Sequence, residues 1–163
     1  ITNCSNNYGP YQFPEKLIPL TITNILRNKK IPLYGDGTNI RDWLHVEDHC
    51  KALELILLEA DPGETFCIGG NNEVENCDLV NKICDLVDQN AKKYDWNLTL
   101  ENSSKLINYV DDRSGHDKRY SIDASKILKK LGWEPSICLD EGLYHTVIWY
   151  LENRKWWEPL IQK

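Results

Sequence analysis

The first 26 residues read ITNCSNNYGPYQFPEKLIPLTITNIL, from Ile1 to Leu26. Ile1–Cys4 has the apolar start of a short strand, and Ser5–Pro10 is a run of turn-forming residues. A helix is predicted from about Leu17, since Pro19 is tolerated only in a first turn. Its apolar stripe has helical spacing and comprises Ile18, Ile22, Ile25 and Leu26. A strand, a turn and a helix in this order predict a protein of the α/β class.

The same alternation continues to the end of the chain. Further strands are predicted at Ile31–Tyr34, Arg41–Val46, Thr65–Ile68 and Leu106–Val110. Asp48, Asp123 and Asp140 are predicted to begin helices, Gly132 to end one, and residues 90–105 to form an irregular loop. The predicted buried stripes are Ala52, Leu53, Ile56 and Leu57; Val80, Ile83, Cys84 and Val87; Ala124, Ile127, Leu128 and Leu131; and Leu143, Val147, Tyr150 and Leu151.

Composition narrows the class of partner. The 163 residues suit one ordinary domain, and 19 lysines and arginines against 25 acidic residues give a net charge of −6. This balance argues against a nucleic-acid partner and an anionic membrane surface, which require a basic face. There is no signal peptide, no long apolar span and no C-x-x-C pair among the six cysteines, so we expect a cytoplasmic protein. The chain begins with Ile1 and contains no methionine, and we expect it to be part of a longer protein.

Three polar segments are candidate sites. Asn6 and Asn7 follow a strand directly, where α/β sheets bind ligands, although spacing alone favours a simple turn. Arg41 suits either a diphosphate or a surface ion pair with a nearby aspartate. Residues 111–120 place seven ionisable groups around one glycine, which favours a ligand-binding loop over a solvated one.

Two motifs are incomplete. His45-Val46-Glu47-Asp48-His49 departs from the H-E-x-x-H order of zinc enzymes, so we predict no metal site. The glycine pairs at 35/37 and 69/70 do not form G-x-G-x-x-G, and the start of a dinucleotide-binding unit is therefore absent from this sequence.

Taken together, these segments resemble the dTDP-glucose 4,6-dehydratases, which are extended short-chain dehydrogenase/reductase enzymes. The specific motifs are N-N-Y-G-P-Y-Q-F-P-E-K-L-I-P at residues 6–19 and D-R-S-G-H-D-K-R-Y at residues 112–120. Between and after them lie similar stretches at residues 32–35, 40–49, 68–73, 131–133 and 146–151. The resemblance covers nearly the whole chain except residues 90–105. Cys67, Ser114 and His45 depart from the usual asparagine, proline and tyrosine.

The resemblance implies an α/β fold made of the last Rossmann strands and the small α/β substrate-binding domain of such an enzyme. Residues 1–163 would be its C-terminal part, with strands near 1–4 and 64–68 completing an upstream sheet. The implied substrate is dTDP-glucose, which is dehydrated to the 4-keto-6-deoxy sugar. The implied cofactor is NAD, bound mainly by the missing N-terminal half. No catalytic residue is expected in this chain, and the full-length enzyme would be a homodimer.

The resemblance also implies roles for individual residues. Asn6 would bind the diphosphate or sugar, and Asn7 would approach NAD. The remaining implied substrate ligands are Lys16 and Leu17 at the nucleotide; Pro32, Leu33 and Tyr34 at the thymine and deoxyribose; Arg41 and Arg113 at the diphosphate; and Asn76, Asp112, Ser114, Gly115 and His116 around the pocket. Two alternatives stay open: a stand-alone, non-catalytic nucleotide-sugar-binding module, or part of a related UDP-sugar dehydratase or epimerase.

Overall fold

The structure is a computed structural model that describes residues 1–161. Strands and helices alternate as predicted, which confirms the α/β class. The strands are β1 (Thr2–Cys4), β2 (Asn6–Tyr8), β3 (Ile31–Tyr34), β4 (Ile40–His45), β5 (Phe66–Ile68), β6 (Glu73–Glu75), β7 (Ile107–Val110) and β8 (Arg119–Tyr120). The helices are α1 (Leu17–Leu26), α2 (Val46–Glu59), α3 (Asn76–Asn90), α4 (Ser125–Leu131), α5 (Leu139–Glu152) and α6 (Arg154–Trp157). Short 3₁₀ turns lie at Ala91–Tyr94, Ser103–Leu106 and Glu158–Leu160.

Strand β4 organises the sheets. It pairs in parallel with β2 and β8 and antiparallel with β6. β1 and β5 form a separate parallel pair, as do β3 and β7. The β2–β4 register places Asn6 opposite Trp43 and Tyr8 opposite His45. Because side chains alternate along a strand, these four residues share one face of the pair, while Asn7 and Leu44 lie on the other.

The core consists of two apolar clusters divided by the β2–β4 pair. The larger cluster contains Tyr8 and Trp43 together with the buried stripes of α1, α3 and α5. The smaller cluster contains Leu44 and packs it against Phe66, Ile68, Ile127 and Trp133. None of the helices within residues 1–161 has the length and apolar character needed to cross a membrane.

Several predicted elements are confirmed. α1 begins at Leu17 and buries Ile18, Ile22 and Ile25, and the whole predicted stripe of α3 is buried, as is that of α5. Gly132 ends α4 with φ of +67°, the left-handed conformation that glycine adopts without strain.

The predicted turn at Ser5–Pro10 is wrong for its first half, because Asn6–Tyr8 is strand β2. Backbone pairing with Trp43–His45 outweighs the local turn preference of the two asparagines. The chain turns only from Gly9, at φ of +140°.

The predicted cap at Asp48 is also wrong. α2 begins at Val46, and the His45 ring caps it by accepting a hydrogen bond from the Glu47 amide. Asp48 lies within the first turn, and its carboxylate accepts hydrogen bonds from Ser136 and Ile137, just before α5. The other two starts are displaced as well: the observed cap of α4 is Ala124, one position after Asp123, and that of α5 is Cys138, two positions before Asp140.

Two predicted surfaces differ from expectation. In α2 the predicted stripe is largely exposed: Ala52 is buried, but Leu57 is 84% exposed. In α4 Leu128 is 48% exposed. The predicted irregular loop at residues 90–105 contains two of the 3₁₀ turns, and Trp96 within it stacks on Trp157 at 5.9 Å. An isolated sequence pattern identifies which face is apolar but not whether the chain itself covers that face.

Candidate binding site

A cavity of about 500 Å³ opens between the start of α1, strand β3 and the β2–β4 pair. Its size falls within the range of small-molecule sites. Most of the predicted site residues line it: Asn6, Asn7, Lys16, Leu17, Pro32, Leu33, Tyr34, Asn76, Arg113 and His116. Residues more than 100 positions apart in the sequence are thus brought together, as the resemblance predicts.

The two asparagines of β2 have different surroundings. Asn6 lies on the Trp43 face of the strand pair. Asn7 is held on the other side, where its Nδ2 donates to the Ser5 carbonyl at 3.0 Å and its Oδ1 lies 2.7 Å from His49 Nδ1. Burial lowers the pKa of His49, so the ring is neutral at physiological pH and its Nδ1–H donates to Asn7. Strand alternation therefore places the two amides on opposite faces of the β2–β4 pair.

Arg113 and His116 form a hydrogen-bonded chain beside Tyr34. Asp112 Oδ1 lies 2.6 Å from His116 Nδ1, and His116 Nε2 lies 3.2 Å from Arg113 Nη2. Since a guanidinium only donates, the ring accepts from Arg113 at Nε2 and donates to Asp112 from Nδ1. The hydrogen bond from His116 holds the pKa of Asp112 below its usual value. The Arg113 guanidinium lies 4.8 Å from the Tyr34 ring centre, so the charge is oriented over an aromatic platform.

The cavity combines positive charge with an apolar wall. Lys16 and Arg113 supply the cations, and Glu15 is the acidic lining residue, paired with Lys16 at 2.9 Å. Pro32 and Leu33 supply apolar surface on β3. A ligand with an anionic part and a flat, largely apolar part matches this arrangement, because guanidinium and ammonium groups bind phosphate while the apolar wall and aromatic ring pack against a base.

The other predicted residues, Arg41, Asp112, Ser114 and Gly115, are not among those that line the cavity. Arg41 is on the Trp43 face of β4, and its guanidinium donates to the carbonyls of Ile40 at 2.7 Å and Asp117 at 2.8 Å. Asp112 is hydrogen-bonded to His116, which does line the cavity. Ser114 and Gly115 form the exposed turn of that loop, where Gly115 has φ of +72° and His116 N donates to the Arg113 carbonyl.

Four lining residues were missed by the sequence interpretation: Gln12, Glu15, Leu20 and Trp43. Gln12 lies within the specific motif at residues 6–19, and Trp43 directly follows Arg41-Asp42. Strand alternation from Arg41 would have placed Trp43 on the ligand face once β4 was paired with β2. Nothing in the sequence alone marked Gln12.

The glycine pair at 69/70 serves packing and not phosphate binding. A Cβ on Gly70 would lie 1.9 Å from the Trp43 carbonyl oxygen, and the Asp42 carboxylate accepts hydrogen bonds from the Gly70 and Asn72 amides.

Among residues 1–161, no group of three or more histidine, cysteine or acidic side chains is arranged to hold a metal. The two histidines of the incomplete zinc-like motif have other contacts: His45 caps α2, and His49 lies against Asn7.

The chain is similar to known proteins over its whole length. The family described as GDP-mannose 4,6 dehydratase matches residues 1–146. The chain is 53% identical to a probable dTDP-glucose 4,6-dehydratase of Sinorhizobium fredii, covering 100% of this chain and 45% of that protein. It is 54% identical to an Escherichia coli dTDP-glucose 4,6-dehydratase, covering 99% and 44%.

The fold comparison gives the same relationship. A crystal structure of a Bacillus anthracis dTDP-glucose 4,6-dehydratase in complex with NAD has a TM-score of 0.85 and 50% identity, covering 98% of this chain and 46% of that one. The predicted fold class and the resemblance are therefore confirmed. The chain spans slightly less than half the length of the relatives it matches.

Proposed function

The chain belongs to the GDP-mannose 4,6 dehydratase family, and we propose that it is the C-terminal, substrate-binding part of a dTDP-glucose 4,6-dehydratase. The observation that carries this proposal is the cavity, in which Lys16 and Arg113 lie beside the apolar and aromatic wall formed by Pro32, Leu33 and Tyr34. These groups suit the diphosphate and the thymidine, respectively.

Within the proposed site, Arg113 and Arg41 neutralise the diphosphate. The Asp112–His116 pair holds Arg113 in place, and Arg41 retains N–H donors beyond the two that bind backbone carbonyls. Asn6 and Asn76, which both line the cavity, contact the substrate, and the Ser114–Gly115 turn shapes the loop that carries Arg113.

The proposed reaction uses NAD, which accepts and returns a hydride while the sugar loses water. Residues of this chain fit the cofactor only at its edge: Asn7 faces away from the Trp43 side of β2 and is fixed by Ser5 and His49. No glycine-rich phosphate cradle occurs in residues 1–161. The rest of the NAD site, the catalytic groups and the homodimer contacts are proposed to lie outside this chain, which alone would not turn over substrate.

Two features support a larger sheet around this chain. β1 and β5 form a parallel pair, and parallel strands are normally buried within sheets of several strands. On α2, Leu57 and Leu58 are 84% and 75% exposed. We propose that β1 and β5 complete the dinucleotide-binding sheet. We propose that the protein is cytoplasmic, a reducing compartment in which free cysteines such as these six persist.

The first test is calorimetric titration of the chain, once it shows a cooperative melt, with dTDP, UDP and thymidine. We expect saturable binding of dTDP, weaker binding of UDP and little binding of thymidine, which lacks the diphosphate. Equal or tighter binding of UDP would favour a UDP-sugar enzyme, and absence of dTDP binding would refute the proposal.

The second test supplies the remainder of the enzyme. In a chimera, the chain replaces the segment that it matches in the Escherichia coli dTDP-glucose 4,6-dehydratase. We expect the chimera to convert dTDP-glucose to a product lighter by one water, and the chain alone with NAD to give none. A chimera that binds dTDP-glucose but never dehydrates it would instead support a non-catalytic binding module.

A further inference from the structure

The cavity contains buried polar atoms without a hydrogen-bond partner among the described residues. They are Gln12 Oε1, Trp43 Nε1 and Asn76 Oδ1. Folded proteins leave few buried polar groups unpaired, because each such group costs free energy. Polar atoms of this kind in the wall of a cavity identify where a bound molecule supplies the missing partners. Asn76 is already assigned to the substrate, whereas Gln12 and Trp43 are not.

Trp43 offers a donor. Its side chain is 4% exposed and lies opposite Asn6 in the parallel β2–β4 register. The Tyr8 ring packs edge-on against it at 6.4 Å, so the indole cannot turn freely. An indole has one N–H and no acceptor, and the ligand group that meets it must therefore carry an oxygen lone pair.

Gln12 offers an acceptor. Its Nε2 donates to the Asn7 carbonyl at 2.8 Å, which assigns the amide orientation and leaves Oε1 as the free atom. The Gln12 backbone carbonyl accepts from Tyr150 Oη at 2.5 Å, so the residue is held at both ends. A partner for Oε1 must donate a hydrogen, and a diphosphate ionised at neutral pH has none to give.

A hydroxyl group satisfies both requirements, because it donates one hydrogen and accepts through its oxygen. The two residues also lie close together, since Gln12 contacts Asn7 and Trp43 pairs with the adjacent Asn6. We propose that Trp43 Nε1 and Gln12 Oε1 bind hydroxyl groups of the substrate hexose and thereby position the sugar. This inference rests on the proposed function, in which the ligand is a nucleotide sugar.

Trp43→Phe tests the inference because it removes the N–H and keeps an aromatic ring. Affinities for dTDP-glucose and dTDP are measured by calorimetry on the chain and on the chimera. We expect roughly 5- to 10-fold weaker binding of dTDP-glucose, the usual effect of one lost hydrogen bond, and less than about 2-fold change for dTDP. Gln12→Leu is a second, independent variant with the same expected pattern.

The matched control is Trp133→Phe, which alters a buried indole in the other apolar cluster and outside the cavity. It should change neither affinity. Equal weakening of both ligands by Trp43→Phe, or no weakening of either by both cavity variants, would overturn the assignment. If the unmodified protein binds no dTDP, the proposed function itself fails; if it binds dTDP normally and only the variant pattern is absent, this inference alone fails.

Discussion

Gly142 and Tyr8 provide a test of the packing that holds β2 in place. Gly142 lies in α5, and a Cβ there would lie 2.2 Å from Tyr8 Oη, 2.9 Å from Cζ and 3.1 Å from Cε2. Tyr8 is 1% exposed and is held edge-on against Trp43 and His45, so it has little room to move. Gly142→Ala should therefore cost about 1–3 kcal/mol of overpacking, offset by about 1 kcal/mol of helix propensity.

Removal of the tyrosine hydroxyl should reduce this effect. Tyr8 Oη is buried without a partner among residues 1–161, and burial raises the pKa of Tyr8, so Tyr8→Phe alone should be neutral or stabilising by about 1 kcal/mol. In the Tyr8→Phe background the 2.2 Å contact no longer exists. Gly142→Ala should then cost less than in the native background, because only the contacts at 2.9 Å to Cζ and 3.1 Å to Cε2 remain; we expect a coupling of about 1–2 kcal/mol between the two changes.

The assay is urea denaturation followed by far-ultraviolet circular dichroism, applied to the two single variants and the double variant. Gly132→Ala is the control, because Gly132 has φ of +67° and no atom within 4 Å of its Cβ position. It should cost about 1–2 kcal/mol equally in both backgrounds. An equal cost of Gly142→Ala with and without the hydroxyl would refute the packing described for β2.

Three further predictions concern other parts of the molecule. Asp48→Ala should lower the free energy of unfolding by about 3–5 kcal/mol, because the buried carboxylate accepts three hydrogen bonds at 2.7–2.8 Å from Ser136 and Ile137. Ser136→Ala should cost only about 1 kcal/mol, and urea denaturation measures both values. Burial raises the pKa of Asp48, but these hydrogen bonds outweigh burial and lower the pKa overall. The ionised carboxylate therefore contributes its full stability above about pH 4, and this stability is lost as pH falls through the lower pKa of the folded state. Measuring the free energy of unfolding across acidic pH checks this. Arg113→Ala should weaken dTDP binding about 10- to 100-fold in calorimetry and leave any thymidine binding unchanged. Burial raises the pKa of Cys84 to about 12, so thiol reagents at neutral pH should modify the exposed Cys50 long before Cys84, as peptide mass mapping would show.

Local patterns predicted the helices better than the strands. The stripe of α3 was recognisable because Val80, Ile83, Cys84 and Val87 recur at the helical period, and all four are buried. β2 was missed because Asn6 and Asn7 have turn-forming character, and only pairing with Trp43 and Leu44, far along the chain, makes the segment extended. Non-local pairing leaves no trace in a short window of sequence.

The site was predictable to the extent that it coincides with sequence motifs. Asn6, Lys16 and Arg113 were assigned through the resemblance and do line the cavity, whereas spacing alone favoured a turn at Asn6 and gave Lys16 no role. Gln12 could be identified only from the three-dimensional structure, because its importance arises from one hydrogen bond to Asn7 that fixes which end of its amide is free.

The β2–β4 pair explains how a chain that spans less than half the length of its relatives can present a formed cavity. Both faces of the pair are occupied by this chain: Tyr8 and Trp43 pack into the large cluster, and Leu44 packs into the small one. The amides at Asn6 and Asn7 are thus held by packing on either side. Because successive side chains of one short strand point to opposite faces, a single register would bring the sugar and the cofactor to adjacent residues. A slip of that register by one position would exchange the two amides, so the packing of Tyr8 would bear directly on the proposed binding of substrate.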